Sequence, residues 1–277
     1  MSDAAQMPLM SIENLVVDYR ARRRGQSVRA SDDVSLQIAP GETLGLVGES
    51  GSGKSTIGNA VLGFTPASSG RIVFDGEDIT HASAARRRQL TKDIQVVFQN
   101  PYASLNPALT IGQTLSEPLR AHGIATKAAD RDARIATWLD VVGLPAAAAQ
   151  KYPADFSGGQ RQRIAIARAL LVEPRLVVCD EAVSALDLSI QAQILNLLRD
   201  LQQRTGVSFL FITHDLAVVE HVAHRLAVLH RGRVIESGAT ADVIGSPQDP
   251  YTRRLLDAVP SPDPVVQRAR RLRKIVR

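Results

Sequence analysis

The run Gly48-Glu49-Ser50-Gly51-Ser52-Gly53-Lys54-Ser55 has the spacing G-x-x-x-x-G-K-S. A short apolar run at 43–47 leads into it, and a helical pattern over 55–62 leaves it. Strand, glycine-rich turn and helix in that order make a loop whose backbone N–H groups converge on phosphate oxygens without Cβ obstruction. The helix behind it points its positive end at the same anion. Lys54 is placed to reach β- and γ-phosphates, and the Ser55 hydroxyl to ligate Mg²⁺. Gly48, Ser50, Gly51, Ser52, Gly53, Lys54, Ser55 and Thr56 form the candidate phosphate-binding set. A glycine-rich turn that binds nothing is the ordinary alternative, and the flanking strand and helix argue against it.

Working outward, residues 12–19, 34–38, 72–74, 94–98, 176–179, 208–212 and 226–229 read as strands. Between about 101 and 172 the pattern is helical with almost no strand signal. Ile190, Ile194, Leu197, Leu198 and Leu201 fall at i, i+4, i+7, i+8 and i+11, the stripe of an amphipathic helix packed on a core. Strands alternating with helices predict a mainly parallel sheet covered on both faces, split by a helical insertion. Pro247, Pro250, Pro260, Pro262 and Pro264 punctuate the end of the chain and place the limit of the compact core near 245–258.

A second candidate site is Leu176-Val177-Val178-Cys179-Asp180-Glu181, an apolar strand ending in two carboxylates. Beside a phosphate loop, Asp180 is placed to hold Mg²⁺ through water, and Glu181 to act as general base toward the attacking water. Alone, such an acidic pair is often only a helix cap. Cys179 sits inside the apolar strand and reads as a packing residue. A third stretch, Phe156-Ser157-Gly158-Gly159-Gln160-Arg161-Gln162-Arg163, opens a helix running to 171. Ser157 can cap it, and the two glycines leave its first N–H groups accessible, a second anion site in one chain.

Ser157-Gly158-Gly159-Gln160 followed by Arg161-Gln162-Arg163, between a phosphate loop and an acidic strand end, resembles the ATP-binding cassette (ABC) signature. The likeness runs from about 12 to 240. It implies an α/β fold: a phosphate-loop, RecA-like nucleotide-binding core with a mainly parallel sheet, an antiparallel β subdomain and an inserted α-helical subdomain. It implies ATP and Mg²⁺ as ligands and ATP hydrolysis as the activity. Gln99 matches the Q-loop glutamine that senses Mg²⁺ and the attacking water. Ser184-Ala185-Leu186-Asp187 matches the D-loop, which crosses a dimer interface. His214 matches the switch histidine at the γ-phosphate, and Tyr19 the aromatic that stacks on adenine. In this family two cassettes pack head to tail, each ATP lying between the phosphate loop of one and the signature of the other.

Phe98-Gln99-Asn100-Pro101-Tyr102-Ala103-Ser104-Leu105-Asn106-Pro107 is similar to the oligopeptide/dipeptide-permease branch. So are Cys179 to Asp187 with Ser189-Ile190-Gln191-Ala192-Gln193, and Pro250-Tyr251-Thr252-Arg253 continuing to Ala258-Val259-Pro260. Asn100 and Ala182 stand where aspartate and proline are common in the branch. The wording resembles the second of two ATPase subunits. The resemblance implies a second ATPase subunit, either a distinct paralogue, which the wording favours, or a second copy of this chain. It also implies two transmembrane permease subunits, an extracytoplasmic solute-binding protein, and a peripheral place on the cytoplasmic face of the inner membrane. It sets out residues 1–8 as a flexible start, 9–250 as the ATP-binding domain with a helical subdomain at about 101–172, and 251–277 as a C-terminal extension. The cysteines that bind an iron–sulfur cluster in some members have no counterpart here, so no cluster is expected.

Composition narrows the alternatives. The chain has 277 residues, 44% of them hydrophobic, enough for a substantial core. Cys179 is the single cysteine, so an internal disulfide is impossible. No N-terminal signal pattern is seen, and no apolar run approaches the roughly 20 residues that cross a bilayer. The net charge of +5 owes much to Arg20, Arg22, Arg23 and Arg24, and to Arg268, Arg270, Arg271, Arg273, Lys274 and Arg277. Solvated loop and loose tail are the plain reading of these runs, contact with anionic headgroups or an acidic partner the sharper one. A soluble ABC ATPase acting on nucleic acid or ribosomes would use such charge directly. One phosphate loop, no sustained heptads and the permease-like Q-loop weigh against it, so nucleic acid is not expected as a partner. A regulator that binds but does not hydrolyse would lack Glu181 or His214, and both are present.

Overall fold

The computed structural model describes residues 7–20, 27–100 and 104–258. Residues 1–6, the arginines at 22–24, residues 101–103 of the Q-loop, and the tail from 259 with its prolines and basic run lie outside the described residues.

The phosphate-loop strand β3 (Thr43–Val47) is buried at all five positions, as its unbroken apolar run requires of a strand covered on both faces. It lies inside a six-stranded sheet of order β10-β9-β3-β8-β7-β6. The other members are β6 (Ile94–Phe98), β7 (Leu176–Asp180), β8 (Ser208–Thr213), β9 (Arg225–His230) and β10 (Arg233–Ala239). All pairings are parallel except β10 on β9. The period-2 rule then sorts side chains to the two faces. Val177, Cys179, Phe209 and Phe211 join one core with the helices of the insertion. Val178, Leu210, Ile212, Leu44 and Leu46 join the other, beneath helix α1 (Lys54–Leu62) and the antiparallel sheet. Each fully buried Val, Leu or Phe contributes about 1.5–3 kcal/mol, so both cores fix the sheet from opposite sides.

The second sheet has the order β2-β1-β4-β5. It is built from β1 (Met10–Arg20), β2 (Ser27–Ile38), β4 (Ser69–Phe74) and β5 (Glu77–Asp78), antiparallel throughout. Asp32 ties it to the first sheet: its N–H donates to the Gly232 carbonyl, and its carboxylate meets Arg233 at 2.6 Å. Helix α2 (Ala84–Leu90) follows this sheet.

Between β6 and β7 the described chain is helical. Helix α3 (Ile111–Ala121) opens on a reciprocal cap between Thr110 and Gln113. Helix α4 (Ala128–Val141) and the short 3₁₀ turns Ala146–Gln150 and Pro153–Asp155 come next, then α5 (Gly158–Leu170). Helix α6 (Leu188–Thr205) buries Ile194, Leu198 and Leu201 of the expected stripe, with Leu195 beside them, and half-buries Ile190 and Leu197. Helix α7 (Leu216–Val222) covers the far side of β3.

The end of the chain departs from the expectation. Strand β10 carries mixed exposure along its length and no alternating pattern, which hid it from sequence reading. Helix α8 (Thr240–Gly245) and helix α9 (Pro250–Ala258) then pack on the core, so the division drawn at 250/251 falls in the first turn of a docked helix. Proline suits a first helical position, where its missing N–H breaks no bond. The proline-rich spacing here marks a helix start as well as the edge of the core.

Candidate functional site

Gly53 is the N-cap residue of α1 and offers no side chain to cap it. The first N–H groups of that helix therefore have no intrahelical partner and need an acceptor from elsewhere. Gly53 has φ +106°, and a Cβ placed on it would sit 2.1 Å from the Ala30 carbonyl oxygen. Only glycine meets both conditions, so the loop is pressed against β2 by its own backbone. Ser52 is buried, and its hydroxyl has no hydrogen-bond partner among the described residues. Uncapped N–H groups and an orphaned hydroxyl are the donor set a phosphate accepts from.

Lys54 is 4% exposed. Its ammonium donates to the Gly48 carbonyl at 2.8 Å and the Glu49 carbonyl at 2.9 Å. Burial pulls its pKa down, opposed by the nearby charges of Glu181 and Asp180. Ser55 Oγ donates to Asp180 Oδ1 at 2.9 Å, joining the start of α1 to the end of β7. Burial pushes the Asp180 carboxyl above the usual range and Glu181 adds to this, while the Ser55 bond and Lys54 oppose it. Cys179 is fully buried, and burial raises its thiol pKa, which makes it an inert packing group.

Glu181 turns the chain sharply out of β7 at φ +50°, a conformation unusual for a side-chain-bearing residue. Three contacts hold it. Its N–H donates to the Ile212 carbonyl, its own carbonyl accepts from Ser184, and the next carbonyl, of Ala182, accepts from buried Gln162 at 2.6 Å. Its carboxylate Oε1 lies 3.3 Å from His214 Nδ1. Gln99 Nε2 donates to Ser184 Oγ at 3.1 Å, which brings the end of β6 into the same group. Tyr19 Oη donates to Thr56 Oγ1 at 3.4 Å and also lies 3.4 Å from Thr65 Oγ1, so the aromatic borders the start of α1.

A cleft of about 330 Å³ is lined by Ala30, Ser50, Gly51, Gly53, Lys54, Ser55, Thr56, Gln99, Asp180 and Glu181. Residues from three distant stretches thus meet around one loop. Ala30 was not foreseen, and Ser184 and Gln162 were named only as parts of the D-loop and signature stretches, with no bond assigned to either. Ala30 acts through its carbonyl, which no residue type signals. Gln162 could have been suspected, as a polar residue on the inward face of its helix.

Ser157, Gly158, Gly159 and Gln160 lie elsewhere and line no part of that cleft. Ser157 is exposed and forms a reciprocal cap with Gln160. A Cβ on Gly159 would meet Ile190 Cγ2 at 2.5 Å, so this glycine lets α5 and α6 approach closely. Asp187 is exposed and caps α6, accepting from Ile190 N at 3.0 Å and Ser189 Oγ at 2.7 Å. These bonds, the Ile190 N–H first, hold its carboxyl below the usual range. A lowered folded pKa means stabilisation that is complete above the unfolded value and lost as pH falls through the folded one. Asp187→Ala is therefore expected to lower Tm at pH 7, with the difference from wild type shrinking in acid. Thermal melts across pH check this, and a difference independent of pH would refute it.

Parallel sheet, uncapped phosphate loop and carboxylates at the end of a neighbouring strand define a phosphate-loop nucleoside triphosphatase. The ABC transporter family model matches residues 31–184. A protein of Brucella ovis provisionally named a peptide import ATP-binding protein is 51% identical over 267 residues, spanning 96% of this chain and 83% of that one. The glutathione import ATP-binding protein GsiA of Shigella flexneri is 49% identical over 270 residues, but the matched region is 43% of its length. Among solved structures, the cassette MJ0796, dimeric and bound to ADP and Pi, has a TM-score of 0.75 at 29% identity, covering 83% of this chain and 98% of its own. CbiO1 of Clostridium perfringens, part of the complex cbiONQ, has a TM-score of 0.77 at 26% identity, covering 96% and 99%. The chain belongs to the ABC transporter family and is an ATP-binding, ATP-hydrolysing cassette.

Proposed function

We propose that this cassette powers import of peptides or a similar small solute, by closing on a second cassette around ATP and parting from it after hydrolysis. The separation of the two anion-binding helix starts carries this reading. The phosphate loop lies in the cleft, while the exposed Ser157 end of α5 contributes nothing to it. A second subunit's signature would complete each site. Leu188, 82% exposed beside Asp187, supports a partner surface at the D-loop. MJ0796 is dimeric in its ADP- and Pi-bound state, which supports the same arrangement.

Within the site, Lys54 and the loop N–H groups bind and orient the β- and γ-phosphates. Tyr19 borders the base. Glu181 accepts a proton from the attacking water as the bond from γ-phosphorus to ADP breaks. His214 and Gln99 orient the water and the terminal phosphate. Ser55 and Asp180 would hold Mg²⁺, with Gln99 close by. Two hard oxygens already 2.9 Å apart fit that ion, which takes few protein ligands and the rest from phosphate and water. Mg²⁺, when bound, neutralises charge on the phosphates.

Peptide import is supported by the names of the relatives from Brucella and Shigella, glutathione itself being a small peptide. No described helix is long and apolar enough to cross a membrane. In this reading a second ATPase subunit, two transmembrane permease subunits and an extracytoplasmic solute-binding protein complete the system, and the cassette sits peripherally on the cytoplasmic face of the inner membrane. CbiO1, as part of cbiONQ, is a precedent for assembly with other subunits.

Ser157→Arg tests the shared site. It should leave nucleotide binding to the purified chain unchanged. It should lower ATPase of the assembled complex by about tenfold or more, the worth of one hydrogen bond to a charged phosphate. Loss of binding in the isolated chain would refute the trans-site reading. Copurification with multi-spanning membrane proteins tests the transporter assignment.

A further inference from the structure

The peptide group between Gly48 and Glu49 is gripped on both sides. Its carbonyl accepts from Lys54 Nζ at 2.8 Å. Its N–H, on Glu49, donates to the hydroxyl of Tyr251 at 3.2 Å. Tyr251 comes from α9, 202 residues further along the chain. Tyr251 is 5% exposed, and its ring packs on that of His230 at a tilt of 38°, with centroids 3.9 Å apart. Arg254 lies over the same ring at 5.7 Å. The approach to α9 is fixed in turn. The Glu236 carboxylate of β10 accepts from the N–H groups of Gln248 at 2.7 Å and Asp249 at 3.0 Å. Asp249 Oδ1 accepts from Tyr251 N at 2.6 Å.

We infer that Tyr251 is a positioning residue for the phosphate loop, its hydroxyl setting the orientation of the Gly48–Glu49 peptide that holds Lys54. This rests on the reading of the loop as the nucleotide site and extends it to the C-terminal helix. The buried ring gives the hydroxyl a fixed origin, because His230 and Arg254 restrain it independently of the loop. The hydroxyl accepts from the N–H on one edge of a peptide whose oxygen accepts from an ammonium on the other. Bonds in such a chain polarise one another, so losing the Tyr251 acceptor weakens the hold on Lys54 as well. Helix α9 thereby gains a direct mechanical connection to nucleotide binding without touching nucleotide.

Tyr251→Phe keeps the ring and removes only the hydroxyl, and with it the acceptor for the Glu49 N–H. Titration of the full chain with trinitrophenyl-ATP should show affinity weakened about 2–12-fold, the span of one ordinary hydrogen bond. In the assembled complex, KM for ATP should rise by a similar factor, while kcat should stay within about twofold because no proton-transferring group is moved. Tm should stay near wild type, and amide exchange at Glu49 should accelerate. Unchanged affinity, or a fall in Tm with no change at the Glu49 amide, would overturn the inference, since a purely structural tyrosine predicts the latter. A wild-type chain that failed to bind trinitrophenyl-ATP would overturn the phosphate-loop reading and this one together. Wild-type binding with unchanged Tyr251→Phe affinity would overturn this one alone.

Discussion

Glu181→Gln is expected to preserve ATP binding and to lower steady-state turnover by roughly 10²–10⁴-fold, the usual contribution of a general base. The amide matches the carboxylate in size, so the turn at φ +50° and its bonds to Ile212, Ser184 and Gln162 should survive. What is lost is an oxygen able to accept a proton from water. In the proposed mechanism the His214 ring, 3.3 Å away, orients the terminal phosphate and so is not free to take over the proton. With hydrolysis slowed and binding intact, the closed pair of cassettes should accumulate. ATPase of the assembled complex and size-exclusion chromatography with ATP check the two halves of this expectation. Undiminished turnover would remove Glu181 from the proposed role.

Lys54→Ala is expected to weaken ATP binding by about tenfold to several hundredfold, as one or two hydrogen bonds to charged oxygens are removed. The substitution also takes away a buried cation whose charged form burial disfavours, which offsets part of the loss of its bonds to the Gly48 and Glu49 carbonyls. Affinity should therefore fall far more than folding stability. Isothermal titration with ATP alongside a thermal melt separates the two. Equal affinity would contradict the phosphate-loop reading, and a collapsed melt would assign Lys54 to the fold.

The elements nearest the phosphate loop were legible because their patterns are short and undiluted. Strand β3 at 43–47 and strand β6 at 94–98 have the bounds expected of them, and the helix over 55–62 starts one residue earlier, at Lys54. The stripe from Ile190 to Leu201 identified α6 because one face of that helix packs on the core. Strand β2 begins at Ser27, well before the expected 34, because Val28 and Ala30 are the only apolar residues of its first half, Val28 faces solvent, and the one buried residue there, Ser31, is polar. Helix α9 lies where the prolines place the limit of the compact core and where the C-terminal extension is expected to begin, since proline marks both an ending and a first helical turn.

The sequence alone determined the class of protein, the order of its motifs and the residue types offered for phosphate, ion and water, because those chemistries depend on side-chain type and local spacing. Only the tertiary structure decided which of them meet. It placed Gln99, Ser184 and Glu181 in one hydrogen-bonded line, pressed the Ala30 carbonyl against Gly53, left Ser157 outside the cleft, and brought Tyr251 to the Glu49 amide. Those contacts join residues up to 202 positions apart, several through backbone atoms common to every amino acid. Packing of sheet and helices creates them, and no local pattern in the chain encodes them.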